Sequence, residues 1–228
     1  MTAETITIKA LDGHELDGYL AMPASPPRVG LLVLQEIFGV NGHIRKVADA
    51  FAARGFLALA PALFDRQKKD VQLGYDRIRE ARSLMAKVKI DDVATDLGAA
   101  VAALRSRLVP PGGRVGAVGY CWGGAIADLA ACRVGIDAGV SYYGRANVNW
   151  LDEKPACPML YHFGAKDPVI PPELREQIEA GRPDGEFHVY PDAGHGFNCD
   201  DRAEFNAASA ELALTRTLAF FRLHLGAT

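Results

Sequence analysis

The chain has 228 residues, 49% of them hydrophobic, with 25 basic against 28 acidic side chains and a formal net charge of −3. Nearly balanced charge with no long run of one sign excludes the basic stripe of a nucleic-acid binder, and no segment reaches the ~18 consecutive apolar residues of a membrane helix. The N-terminal "MTAETITIKALDGHEL" lacks a signal-peptide pattern, and the four cysteines (Cys121, Cys132, Cys157, Cys199) form no CxxC pair, so neither a zinc nor a disulfide framework is expected and the predicted compartment is the reducing cytoplasm.

Along the chain, "TITIKA" and "ELDGYLAM" alternate apolar with polar around a "LDGH" turn, which predicts an antiparallel hairpin at one sheet edge. "VGLLVLQE" is a continuous apolar run, as in a strand buried on both faces of a parallel sheet. "NGHIRKVADAFAARG" reads as a helix with Asn41 as cap and Gly55 as stop, and "FLALAPAL" as the next strand. The stretch from Phe64 to Met85 is polar with few regular features, and is predicted to cover a site. "IDDVATDLGAAVAALRSRL" has helical spacing, with Asp91 and Asp92 near its start. Four further strands follow ("RVGAVGYC", "AGVSYYG", "CPMLYHFG", "EFHVYPDA"), with helices "GGAIADLAACRVG", "PPELREQIEAG" and "FNAASAELALTRTLAFFRLHL" among and after them. Strand–helix alternation means right-handed βαβ crossovers and a sheet covered on both faces. With no linker or repeat, residues 1–228 read as a single α/β domain of about eight mostly parallel strands with an antiparallel N-terminal edge.

The segment "GAVGYCWGG" carries the chemistry. Gly119-Tyr120-Cys121-Trp122-Gly123 has the spacing of the G-x-S-x-G nucleophile elbow of the α/β-hydrolase fold, with Cys in the nucleophile position between a strand and a helix. The glycines are needed there because side chains would collide with neighbouring backbone. A sulfur so placed faces the site opening and lies near the positive end of the helix dipole. The fold then requires an acid and a His, in that order, each beyond a later strand. Asp167 in "GAKDPVIPP" and His195 in "AGHGF" satisfy this, with Asp167 orienting the imidazole and His195 moving the proton. His162 and His188 lie within strands and read as packed, whereas His14, His43 and His224 match no motif. Backbone donors for an oxyanion are expected from Trp122 and from Ile37 in "QEIFGVNGH".

Taken together, "QEIFGVN", "GYCWGG", "SYYG", "GAKDPVIPP" and "AGHGF" resemble the dienelactone hydrolases (carboxymethylenebutenolidases). The resemblance runs from about the first strand to the final helix. It implies a Cys-His-Asp triad carried by Cys121, His195 and Asp167, and a role for Glu36, which in the family contacts the resting thiol; nothing in the sequence itself requires a metal or organic cofactor. It also implies arginines that hold a substrate carboxylate. Arg77, Arg79 and Arg82 occupy the first such region, where a solvated helix face accounts for at least two of the three. The second family position, four residues after the His, is Cys199 here, with Arg202 three further on. Phe38, Arg79, Arg82, Tyr142, Phe197 and Arg202 are the candidate substrate-binding residues.

Because a thiolate leaves more easily than an alkoxide, sulfur at this corner favours activated esters. The expected function is hydrolysis of an enol lactone or related activated ester through a Cys-acyl intermediate. The alternatives are a broad carboxylesterase or thioesterase without carboxylate recognition, and a non-catalytic ligand-binding homologue. A small-molecule substrate and a monomer are expected.

Overall fold

The computed structural model describes residues 1–227. Its frame is an eight-stranded sheet in the order β1-β2-β4-β3-β5-β6-β7-β8: β1 (Thr2–Lys9), β2 (Glu15–Met22), β3 (Val29–Leu34), β4 (Phe56–Pro61), β5 (Val115–Tyr120), β6 (Ala138–Tyr142), β7 (Met159–Gly164) and β8 (Glu186–Tyr190). β1 and β2 form the expected hairpin and β2 meets β4 antiparallel, while every remaining pairing is parallel. All residues of β3, β4, β5, β6 and β7 are buried, which is why they read as continuous apolar runs, whereas the edge strands β1 and β8 are largely exposed.

Six helices cover the sheet: α1 (Gly42–Ala52), α2 (Ile78–Met85), α3 (Ile90–Arg105), α4 (Trp122–Arg133), α5 (Pro172–Gly181) and α6 (Ala207–Leu225). Asn41 caps α1 through its side-chain oxygen, which accepts from the Ile44 amide. Phe51 of α1 and Phe221 of α6 meet edge to face on one side of the sheet, while α3 and α4 pack together. The chain leaves β3 toward β4 and later leaves β5 toward β6 in the opposite direction. The carboxyl ends of β3 and β5 therefore sit side by side at a topological switch point, where α/β sheets open a crevice.

The segment Phe64–Met85 departs from expectation. It contains a 3-10 turn (Tyr75–Arg77) followed by α2. The helix has only two buried residues, Ala81 and Leu84, so its apolar signal is brief and is masked by surrounding charge. Backbone hydrogen bonds run from the Leu73 amide to the Phe38 carbonyl (2.8 Å), and Gly39 bridges to Gln72, so this covering segment is fixed to the loop after β3.

α4 is the most buried helix, with ten of its twelve residues inside. Asp128 at its centre is enclosed and accepts from Arg182 (2.8 and 2.9 Å), Trp150 (2.8 Å) and Tyr161 (2.5 Å). A buried charge satisfied on both oxygens anchors the helix from behind. At its front, α4 touches β3: a methyl group on Gly123 would lie 2.3 Å from the Leu34 carbonyl oxygen. Gly123→Ala is therefore expected to destabilise the protein by about 1–3 kcal/mol and to displace the Cys121 turn. Urea unfolding measures the first effect, and wild-type stability in this variant would show that the contact is not constraining.

Candidate active site

Cys121 occupies the corner between β5 and α4 with φ +54° and ψ −115°, a conformation that only local constraint maintains in a residue with a side chain. Its amide donates to the Tyr142 carbonyl (2.9 Å), and its own carbonyl accepts from the Gly124 amide (3.0 Å). A methyl group on Gly119 would lie 1.8 Å from the Gly123 carbonyl oxygen, so the G-x-C-x-G glycines are steric requirements.

The Cys121 sulfur lies 3.2 Å from His195 Nε2, and His195 Nδ1 lies 2.8 Å from Asp167 Oδ2. The other Asp167 oxygen accepts from the Val169 (2.7 Å) and Ile170 (3.2 Å) amides, which lock the carboxylate in place. The loops carrying the two residues are joined by a hydrogen bond from the Lys166 amide to the Ala193 carbonyl. The Tyr143 ring stands edge-on to the His195 imidazole at 5.2 Å. Burial by itself lowers the His195 pKa, but the hydrogen bonds to Asp167 and Cys121 outweigh it and raise the value to about 10.

Glu36 lies elsewhere than the resemblance implies. Its carboxylate is buried, with Oε2 accepting from the Tyr75 hydroxyl (2.9 Å) and Oε1 3.7 Å from Arg202 Nη1. Cys121 is hydrogen-bonded to His195 and not to Glu36. Arg202 also reaches Glu204 (3.4 Å) and covers the Tyr75 ring at 5.5 Å. Burial, followed by the Glu36 charge, pushes the Tyr75 pKa up, so the hydroxyl remains a donor. The amides of Ile37 and Trp122 make no backbone hydrogen bond among the described residues, and both residues line the same cavity as Cys121.

Cys121, His195, Ile37, Phe38, Trp122, Arg82 and Arg202 line one cavity of about 720 Å³. Three of the six substrate-binding candidates fall outside it. Tyr142 is buried with its hydroxyl on Thr217 (2.7 Å), and Phe197 is enclosed between Tyr143 and Tyr190, so both are core residues. Arg79 projects from the exposed face of α2, and Arg77 pairs with Glu80. Sequence reasoning missed Tyr75, Ile78 and Met85, which the short covering helix and its preceding turn bring to the cavity. It also missed Arg145, which directly follows "SYYG". Arg82 and Arg145 have no acidic partner among the described residues, which leaves two free guanidinium groups at the cavity.

Residues 16–225 match the sequence profile of the dienelactone hydrolase family. A protein of Azospirillum brasilense, named by inference a carboxymethylenebutenolidase, is 39% identical over 231 residues, spanning 97% of this chain and 99% of its own. The carboxymethylenebutenolidase of Pseudomonas putida is 33% identical over 227 residues, with 96% of each chain covered. A crystal structure of a Klebsiella pneumoniae protein, named by inference a dienelactone hydrolase, superposes with a TM-score of 0.84 at 28% identity, covering 98% of this chain and 100% of that one.

Two predictions follow from the charges. An imidazole with a folded pKa near 10, above its ordinary 6.5, contributes stability in full below about pH 6.5 and loses it as the pH rises toward 10. Asp167→Asn should lower the His195 pKa in an NMR titration and flatten that decline; an unchanged titration would refute the coupling. Tyr75→Phe leaves Glu36 Oε2 without its donor and should cost about 1–3 kcal/mol, measured by denaturant unfolding, with no loss expected if water replaces the hydroxyl.

Proposed function

The chain belongs to the dienelactone hydrolase family, so it is a hydrolase of lactone or ester substrates, and we propose that it acts through a thioester on Cys121. The observation that carries this reading is the continuous hydrogen-bonded path from the cavity-lining sulfur through His195 to Asp167. The raised affinity of His195 for a proton favours transfer from the thiol. The thiolate attacks the carbonyl carbon, and the oxyanion is received by the Ile37 amide of the loop after β3 and the Trp122 amide at the start of α4, where the helix dipole adds to the same field. Collapse breaks the acyl–oxygen bond, and the imidazolium gives its proton to the departing oxygen. Water, deprotonated by His195, then attacks the thioester and releases Cys121.

Sulfur sets the leaving-group preference. Ordinary thiols ionise near pH 8.5, so the tetrahedral adduct expels thiolate more readily than an alkoxide, and productive collapse needs a stabilised leaving group. An enol lactone meets this need because ring opening releases an enolate that becomes a ketone. Glu36 is a second buried carboxylate at this site. Arg202 and Tyr75 offset its charge, so it opposes the thiolate less than a free carboxylate would. The free guanidinium groups of Arg82 and Arg145 suit a substrate that carries its own carboxylate.

Two observations favour a second reading, a broad esterase. The cavity is much larger than a small lactone acid requires, and Arg202 is already engaged by Glu36 and Glu204. A comparison of cis-dienelactone with its methyl ester decides between them: strong preference for the free acid supports carboxylate recognition, and equal rates support the generalist. In either case Cys121→Ala should abolish turnover of 4-nitrophenyl acetate, and retained activity would disprove the role of the thiol. Cys121→Ser should keep some ester turnover while losing most activity on the preferred substrate.

A further inference from the structure

His43 meets the adjacent Cys199 and Asp200 although it precedes them by more than 150 residues in the chain. A ring nitrogen of His43, the Cys199 sulfur and a carboxylate oxygen of Asp200 all lie within 4.8 Å of one another. His43 stands in the first turn of α1, and Cys199 and Asp200 lie in the loop that follows His195. His43 is 3% exposed and Cys199 is 0% exposed, so two of the three groups are enclosed.

The imidazole is incompletely satisfied. Nδ1 is 3.3 Å from Asp200 Oδ1, while Nε2 is buried without a partner. With the imidazole proton on Nε2, the Nδ1 lone pair faces Asp200 Oδ1 and is open to a cation between them. Cys199 Sγ donates a weak hydrogen bond to the Tyr75 hydroxyl at 3.0 Å. The Lys46 ammonium lies 3.8 Å from Asp200 Oδ2, leaving Oδ1 directed at His43.

We propose that His43, Cys199 and Asp200 bind a zinc-like divalent cation that clasps α1 to the loop bearing His195. One nitrogen, one sulfur and one oxygen suit such an ion, and three protein ligands with a water in the fourth position make a tetrahedral set. Bonds of about 2.0–2.3 Å place tetrahedral ligand atoms about 3.3–3.8 Å apart, so side-chain adjustments of an ångström or less close the site. The cation replaces the Cys199 proton: the S–H bond breaks, a sulfur–metal bond forms, and one proton passes to solvent. No electron changes hands. An ordinary thiol is protonated at neutral pH, so binding releases that proton. The cation takes no part in ester hydrolysis; it holds the loop 196–206 against α1.

Cadmium is the probe, because its bond to thiolate gives a charge-transfer band in the ultraviolet. The titration is run on Cys121→Ala, which removes the active-site thiol as a competitor and keeps the outcome independent of the hydrolytic mechanism. The expected result is saturation at one equivalent, release of one proton and a rise in melting temperature. Adding Cys199→Ala should abolish the band. Adding His43→Gln or Asp200→Asn should each weaken binding about tenfold or more; Asp200 is half-exposed, so its variant should fold normally. Absence of a band in Cys121→Ala, or a band that survives Cys199→Ala, overturns the proposal. So does a band that depends on Cys199 but not on His43 and Asp200.

Discussion

The close approach of α4 to the end of β3 is the constraint on which the site depends. Only bare glycine backbone fits there: Gly123 meets the Leu34 carbonyl, and Gly119 meets the Gly123 carbonyl. The chain must therefore turn abruptly, and Cys121 takes the strained φ that the turn imposes. That strain costs about 1–3 kcal/mol, an amount offset by the burial of nearly the whole of α4 and its anchoring through Asp128 and Arg182. The same turn brings Cys121 and Trp122 to the wall of the cavity that Ile37 also lines.

Two buried carboxylates serve the region in different ways because their partners differ. Asp167 is held by two backbone amides and faces one nitrogen of His195, whose other nitrogen faces the sulfur. Glu36 is held by a tyrosine hydroxyl and an arginine, which turn its charge toward the covering segment. In a low-dielectric pocket such separation matters, since an unpaired negative charge beside the sulfur would oppose thiolate formation. Tyr75 connects the two halves of the design: it bonds Glu36, accepts from Cys199 and lies beneath Arg202.

Much of this was legible because backbone sterics and periodicity are local. Fully buried strands read as apolar runs, the hairpin read as alternation, and the order Cys121, Asp167, His195 followed from the strand ends. The misplaced residues share one cause. Tyr142 ends a strand buried on both faces, so alternation could not say whether its ring met the cavity or α6; Thr217 took it. Phe197 follows Gly196 in the loop of His195 but turns inward to an aromatic cluster. The helix α2 escaped notice because its apolar stripe is two residues deep.

The sequence by itself determined the order of strands and helices, the chemical types at the strand ends and the family, because each rests on residues near one another in the chain. Tertiary structure alone decided that Arg202 meets Glu36, that Arg82 and Arg145 reach the cavity while Arg79 does not, and that His43 lies beside Cys199. Those outcomes depend on side-chain direction and on how distant loops close over the sheet, and neither is encoded in the spacing of residues along the chain.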